Sequence, residues 1–282
     1  MHPLSVDIGI PWTSQFFTGK TGWQKPENII ASIDQFLAAT IAYGHIGWLV
    51  EETHGIRQAC RSYYMLQPLQ SRYAMLKPQE ILYGTDKGLV SSSAALQGGE
   101  WRKSKLFIRY PGGLRIWING NASESWQVEH EKQVHNLPSF GWLAIGADGF
   151  IESSESIDGK RFDRASSPAC IFIDGRGTWR EFDGIGTSGS VAVTRPDSGD
   201  GLSVVTVEGV DRVAISRPEG PFAADDVRTA IARVAQAPGV VVRAFDVSGK
   251  DLGGVTARRT QIGWEIDPPK GAVRLGISAA QR

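Results

Sequence analysis

Cysteine is scarce: Cys60 and Cys170 are the only two among 282 residues. A disulfide framework is thereby excluded, and with no C-x-x-C pair both residues read as buried thiols. An excess of either charge is also lacking, because 30 Lys and Arg balance 30 Asp and Glu. No long run of one sign breaks that balance, so neither nucleic acid nor an anionic membrane surface is expected as a partner. No stretch is apolar for the roughly 18 or more residues that a bilayer crossing takes. Met1 to Gly9 lack the basic start and apolar core of a secretory leader, which leaves the address open, since a fragment of a secreted or periplasmic parent would lack its leader too. The histidines at 2, 45, 54, 130 and 135 form no H-x-x-x-H pair. Zinc therefore has no ligand set, and no metal or cofactor is expected. Internal repeats and low-complexity segments are missing as well, which argues against solenoids and propellers.

Glycine, proline and tryptophan are present in force, at 33, 14 and 9 residues. That mixture suits a β-rich protein with many tight turns. The front of the chain departs from it. Ile29, Ile33, Phe36, Leu37, Thr40 and Ile41 recur at helical spacing between Glu27 and Tyr43, with Pro26 placed for the first turn and Gly44 for the stop. Ile46 to Val50 is short and continuously apolar, the pattern of a strand buried on both faces. A second helical run covers Gly55 to Leu76 and is interrupted by Pro68. With the apolar segment Leu4 to Ile10, the order becomes strand, helix, strand, helix. This is the size of two units of an alternating barrel that closes only with eight. The expectation is the end of a larger (β/α) barrel over residues 1–77, its amino terminus a truncation or internal start. The plainer alternative is a small α/β cap on a β protein.

From Pro78 the pattern changes to alternation and turns. Strands are expected at Glu80–Tyr83, at Leu106–Tyr110 with Leu114–Ile118 as a hairpin, from Trp126, and at Trp142–Ile145, Phe150–Ser153, Ala169–Ile173 and Val191–Thr194. Leu89–Leu96 reads as a serine-rich loop or short strand. An antiparallel β-sandwich over 78–196 follows, and after the polar break Pro196 to Gly201 a smaller β domain over 200–282. That last part carries one helix, marked by Asp225 and Asp226 ahead of Val227, Ile231 and Val234. The whole is a multidomain α/β plus all-β chain.

Several motifs fail on context. Gly184, Gly186 and Gly189 spell G-x-G-x-x-G, but a strand follows them and no helix amino terminus is there to meet a pyrophosphate. Asp197 and Asp200 miss calcium-loop spacing. Asn121, Ala122 and Ser123 form a glycosylation sequon, which matters only in a eukaryotic secretory pathway. No G-x-S-x-G elbow occurs. The polar cluster of interest is Glu51, Glu52 and His54, just past the carboxyl end of the 46–50 segment, where alternating barrels build their sites. Two adjacent glutamates on one strand end point apart, so they are not by themselves an acid and nucleophile flanking one bond. One of them suits hydrogen bonding to a sugar hydroxyl; the bland reading is a solvated loop. Trp12, Phe16 and Phe17 follow the other strand end, where they suit either a cleft wall or burial under a neighbour.

The runs DIGIPWTSQFF at Asp7–Phe17, FLAATIAYGHIGWL at Phe36–Leu49 and SYYMLQPLQSRY at Ser62–Tyr73 resemble the closing strands and helices of a large (β/α)-barrel glycoside hydrolase-like family from environmental bacteria. Its members resemble retaining α-glycosidases with β-sandwich domains after the barrel. LRIWINGN at Leu114–Asn121, LPSFGWLA at Leu137–Ala144 and DGKRFDRASSPACIFIDGRG at Asp158–Gly177 are similar to the sandwich that follows. The resemblance covers about residues 4–195 and its motifs are structural. It implies that the catalytic carboxylates lie on middle barrel strands upstream of Met1, so no catalytic residue is carried onto this chain. The chain alone is then expected not to hydrolyse a glycoside, while Trp12, Phe16, Glu51, Glu52 and His54 border a carbohydrate cleft. A different class of reading is a carbohydrate-binding or structural sandwich protein without chemistry, and a third is an unrelated adhesin-like module.

Overall fold

The structure, a computed structural model, describes residues 26–47, 49, 55–196 and 201–280. The expected strand Leu4–Ile10 and the Asp197–Asp200 loop lie outside the described residues. The chain divides into two compact units, Met1–Arg161 and Phe162–Arg282.

In the first unit, helix α1 spans Pro26–Tyr43. Proline fits its first position because the missing N–H would be an orphan there, and Gly44 ends it at φ 66°, with the His45 N–H donating to the Thr40 carbonyl. Helix α2 spans Ile56–Tyr73 and runs through Pro68, where the sequence suggested an interruption. An internal proline costs about 3 kcal/mol, whereas burying each of several large apolar side chains contributes about 1.5–3 kcal/mol. Met65, Leu66, Leu69 and Tyr73 are all buried, so packing decides. Between the helices, Ile46, Gly47 and Leu49 form no strand, contrary to expectation, and Leu49 is 57% exposed. A strand is held by hydrogen bonds to a neighbouring strand, and none of the described strands pairs with this segment.

The unit's sheet contains β1 (Glu80–Thr85), β2 (Gly88–Ser91), β3 (Lys105–Arg109), β4 (Arg115–Asn119), β7 (Gly141–Ile145) and β8 (Ile151–Ile157). Their order is β2-β1-β3-β4-β7-β8, every neighbour antiparallel. The expected hairpin is β3–β4, in register Ile108↔Ile116 across the Pro111–Gly113 turn. Alternation then divides the side chains between two faces. One face carries Phe107, Trp117 and Leu143, covered by Val128 and Leu137 of a separate hairpin, β5 (Trp126–His130) and β6 (Gln133–Leu137). The other carries Trp142 and Glu152, where the helices pack. Leu89–Leu96 is part strand and part helix: β2 gives way to α3 (Ser92–Gly98), whose amino-terminal cap is the Ser91 hydroxyl, accepting from the Ala94 N–H.

The second unit has two antiparallel sheets. The larger orders β9 (Lys160–Ser166, from Phe162 onward in this unit), β10 (Cys170–Asp174), β13 (Ser190–Thr194), β14 (Leu202–Glu208), β20 (Arg274–Ala279), β16 (Val240–Phe245) and β17 (Asp251–Gly254). The smaller orders β11 (Arg180–Phe182), β12 (Ile185–Thr187), β15 (Val213–Ser216), β19 (Gly263–Ile266) and β18 (Ala257–Arg259). Ile171, Val193, Val204 and Leu275 of the first meet Ile185, Ile215 and Ile266 of the second in one core. Helix α4 (Val227–Gln236), capped by the Asp226 carboxylate accepting from the Arg228 N–H, adds Val227, Ile231 and Val234 to it. The rejected phosphate motif is here a turn at Gly184 between β11 and β12 followed by strand, as its context required. Cys60 and Cys170 are free and half-buried rather than fully buried, and burial still pushes the Cys170 thiol up to about 12.

Gly263 pairs with Ser216, and a Cβ on it would collide with the Ile215 backbone carbonyl. Gly263→Ala is therefore expected to cost about 1–3 kcal/mol as the β15–β19 pair is forced apart. An unchanged urea midpoint would show that the close approach is not required.

Candidate functional site

All five residues singled out from the sequence as lining a cleft, Trp12, Phe16, Glu51, Glu52 and His54, lie outside the described residues. What is described is the ground on either side of Glu51–His54, namely the end of α1, residues 45–47 and 49, and helix α2.

Two kinds of surface meet there. Facing the sheet, α1 and α2 bury a polar lattice. Asp34 accepts from two guanidiniums, Arg61 at 2.6 Å through one oxygen and Arg161 at 2.8 Å through the other. Arg161 also donates to the carbonyls of Ser139 and Phe140, which fasten the turn before β7. Beside them, the Tyr73 hydroxyl donates to the His45 carbonyl at 2.8 Å and its ring stacks on Tyr110 at 5.7 Å. The Trp142 indole N–H donates to Glu152 Oε1 at 3.0 Å. Burial, then the neighbouring Tyr110 and Glu152, hold the Tyr73 hydroxyl well above its ordinary range, and burial pushes Tyr110 up to about 12. Both phenols are therefore neutral at physiological pH, and Tyr73 acts as a donor.

Away from the sheet, the pair is apolar and open. Ile46, Gly47, Leu49, Tyr63, Leu66 and Gln70 border a cleft of about 410 Å³. The chain reaches it by threading between the helices: the Gly47 N–H donates to Gln70 Oε1 at 3.1 Å, and a Cβ on Gly47 would press on Leu66 and Thr40 at 2.7 and 2.8 Å. Tyr63 is 46% exposed on this face.

Among the described residues the cleft is bordered by apolar side chains, glutamines, Ser71 and Tyr63, a lining that suits packing and binding. Asp34 is engaged with arginines beneath the helices and Glu152 with an indole, so neither faces the cleft. Under the β5–β6 hairpin, His135 Nδ1 lies 2.9 Å from Glu155 Oε2, and the Ser153 hydroxyl donates to Glu155 Oε1 at 2.8 Å. The serine thus bonds to the carboxylate and not to the imidazole, which is not the order that activates a nucleophile. Among the described residues no group of three or more His, Cys, Asp or Glu is arranged to hold a metal ion, and no helix is long and apolar enough to cross a membrane. Comparison with protein-family models, with curated proteins and with solved structures finds no match.

The lattice was not anticipated, yet part of its signal is visible. Asp34 sits among Ile33, Leu37 and Ile41 on the apolar stripe of α1, and Arg61 shares the stripe of Met65 and Leu69 on α2. A charge of each sign on the buried stripes of consecutive helices is a cue for a buried ion pair. Glu152 gave none, because the run Glu152–Ser156 looks solvated until both faces of β8 are covered.

Removing one partner of a buried ion pair leaves charge uncompensated. Asp34→Ala is therefore expected to destabilise the first unit by about 3–5 kcal/mol in urea denaturation. A loss under about 1 kcal/mol, the range of exposed pairs, would show the triad to be incidental. Tyr73 supplies a pH test. Its folded pKa lies above its unfolded value of about 10, so its contribution is complete below pH 10 and lost as pH rises beyond it. Between roughly pH 10 and 12 the wild type is expected to lose stability faster than Tyr73→Phe, by up to about 1.4 kcal/mol per pH unit. Parallel curves would contradict the assignment.

Proposed function

We propose that this chain is the carboxyl-terminal part of a (β/α)-barrel glycoside hydrolase-like protein, supplying the last barrel helices, cleft walls and β-rich accessory units but not the catalytic carboxylates. The observation that carries the reading is the open apolar cleft that Ile46, Gly47 and Leu49, just past α1, form with Tyr63 and Leu66 of α2. A helix pair that packs one side on a sheet and leaves Leu49 and Tyr63 exposed on the other has surface for a further layer. In a barrel that layer is the ring of strands, and Ile46–Val50 would take its partners there, which accounts for its lack of pairing among the described strands. Two of the residue runs that resemble the barrel family, Phe36–Leu49 and Ser62–Tyr73, fall on these helices and the segment after α1. Hydrolysis in the parent would use an acid and a nucleophile carboxylate flanking an oxocarbenium-like transition state, with one of Glu51 and Glu52 hydrogen-bonding the sugar from the cleft wall.

Two measurements test this. Purified chain offered a panel of aryl α- and β-glycosides is expected to release no aryl alcohol above the buffer rate. Turnover that disappears in Glu51→Gln or Glu52→Gln would place catalytic carboxylates in this chain and overturn the reading. The genomic sequence before the Met1 codon is expected to continue in frame through alternating strand and helix patterns, whereas an in-frame stop with a ribosome-binding site between would contradict a longer parent.

A further inference from the structure

The structure points to a second surface, far in sequence from the barrel-like helices. Three connections at one end of the first unit's sheet are tied together by a single residue, Lys103. Its ammonium pairs with Asp86 of the β1–β2 turn at 3.3 Å and with Glu100 of its own 3₁₀ turn, Glu100–Lys103, at 3.0 Å. Its carbonyl accepts from the Asn121 side-chain amide of the β4–β5 connection at 3.2 Å. These contacts raise the Lys103 ammonium above its ordinary range, the hydrogen bonds to Glu100 and Asp86 being the largest causes. The 3₁₀ turn is bracketed by two left-handed residues, Gly99 at φ 75° and Ser104 at φ 53°. Ser104 is held there by its N–H donating to the Trp101 carbonyl and by its own carbonyl accepting from the Gly120 N–H.

What this frame displays is an indole. Trp101 is 45% exposed, and the Arg102 guanidinium lies over its ring at 5.3 Å from the centroid. Glu100, Arg102 and Lys103 are its neighbours on the turn, and Lys103 holds Asp86, whose side chain is 85% exposed, to the same turn. A half-exposed apolar ring on a turn that also carries carboxylate, guanidinium and ammonium groups suits a pyranose, which presents a C–H face to an aromatic plane and hydroxyls at its rim. A protein partner of the ordinary kind would want a larger continuous apolar patch and fewer charges at its centre.

We propose that this loop cluster is a carbohydrate subsite, in which Trp101 takes the C–H face of a sugar and Asp86 and Arg102 bond its hydroxyls. It deepens the carbohydrate part of the proposed function. It needs neither the barrel nor catalysis, so its failure and that of the barrel reading are told apart by different assays.

The test is affinity electrophoresis of the full chain through gels containing soluble neutral polysaccharides, a β-glucan, a galactomannan, an arabinoxylan and an α-glucan. At least one is expected to retard the wild type, and Trp101→Ala to weaken retardation by about tenfold or more while its melting temperature stays that of the wild type. Asp86→Asn is expected to weaken it less and Trp101→Phe to keep most of it. Retardation by none of the four, or equal retardation of wild type and Trp101→Ala, would overturn the proposal. So would a wild-type chain that self-associates in light scattering through a contact abolished by Trp101→Ala, because the indole would then be an interface between copies.

Discussion

A carboxylate clasped by two guanidiniums beneath a pair of helices is the constraint on which the first unit depends. Asp34 belongs to α1, Arg61 to α2, and Arg161 follows β8 while also holding the turn before β7. One buried group therefore fixes both helices to the sheet. Hydrophobic packing alone is tolerant of sliding and rotation. An ion pair of this kind adds little net stability over an apolar substitute, but misplacing either partner is expensive, so the energetics reward one arrangement of the helices on the sheet. Fixing the inward face in this way also fixes which residues point outward, and these are the apolar ones that border the cleft.

Much of the fold was legible in the residues. Pro26 and Gly44 marked the ends of α1, the alternation around Pro111–Gly113 gave β3–β4 its faces, and Asp226 ahead of Val227, Ile231 and Val234 announced α4. These are local signals, decided by backbone chemistry and period. The failures have a common cause in tertiary context. Pro68 looked like a break because helix propensity is local, whereas the burial of Met65, Leu69 and Tyr73 on both sides of it is not. Leu89–Leu96 was ambiguous because a serine cap turns strand into helix within a single residue. The polar stretch after Pro196 was read as a break, yet β13 and β14 on either side of it are hydrogen-bonded neighbours whose side chains share one core.

The candidate site was less legible than the fold. The five residues singled out flank the described helices in sequence without entering the description, while the groups that do organise the region, Asp34, Arg61, Tyr73, Glu152 and Arg161, were recognisable only in part. Burial is what gives those groups their meaning, and burial is a property of the assembled layers. Trp101 is the opposite case: its significance comes from being displayed, on a turn that three connections and one lysine hold in place.

Native-state hydrogen exchange tests the central claim most directly. If the Asp34 lattice makes the helices and the sheet one cooperative body, the slowest amides of α1 and α2, those behind Leu37, Ile41, Met65 and Leu69, open with the same free energy as the central amides of β4 and β7. Helix amides that exchange through a separate opening, several kcal/mol cheaper than that of the sheet, would show that the pair is only laid against it and would contradict the account.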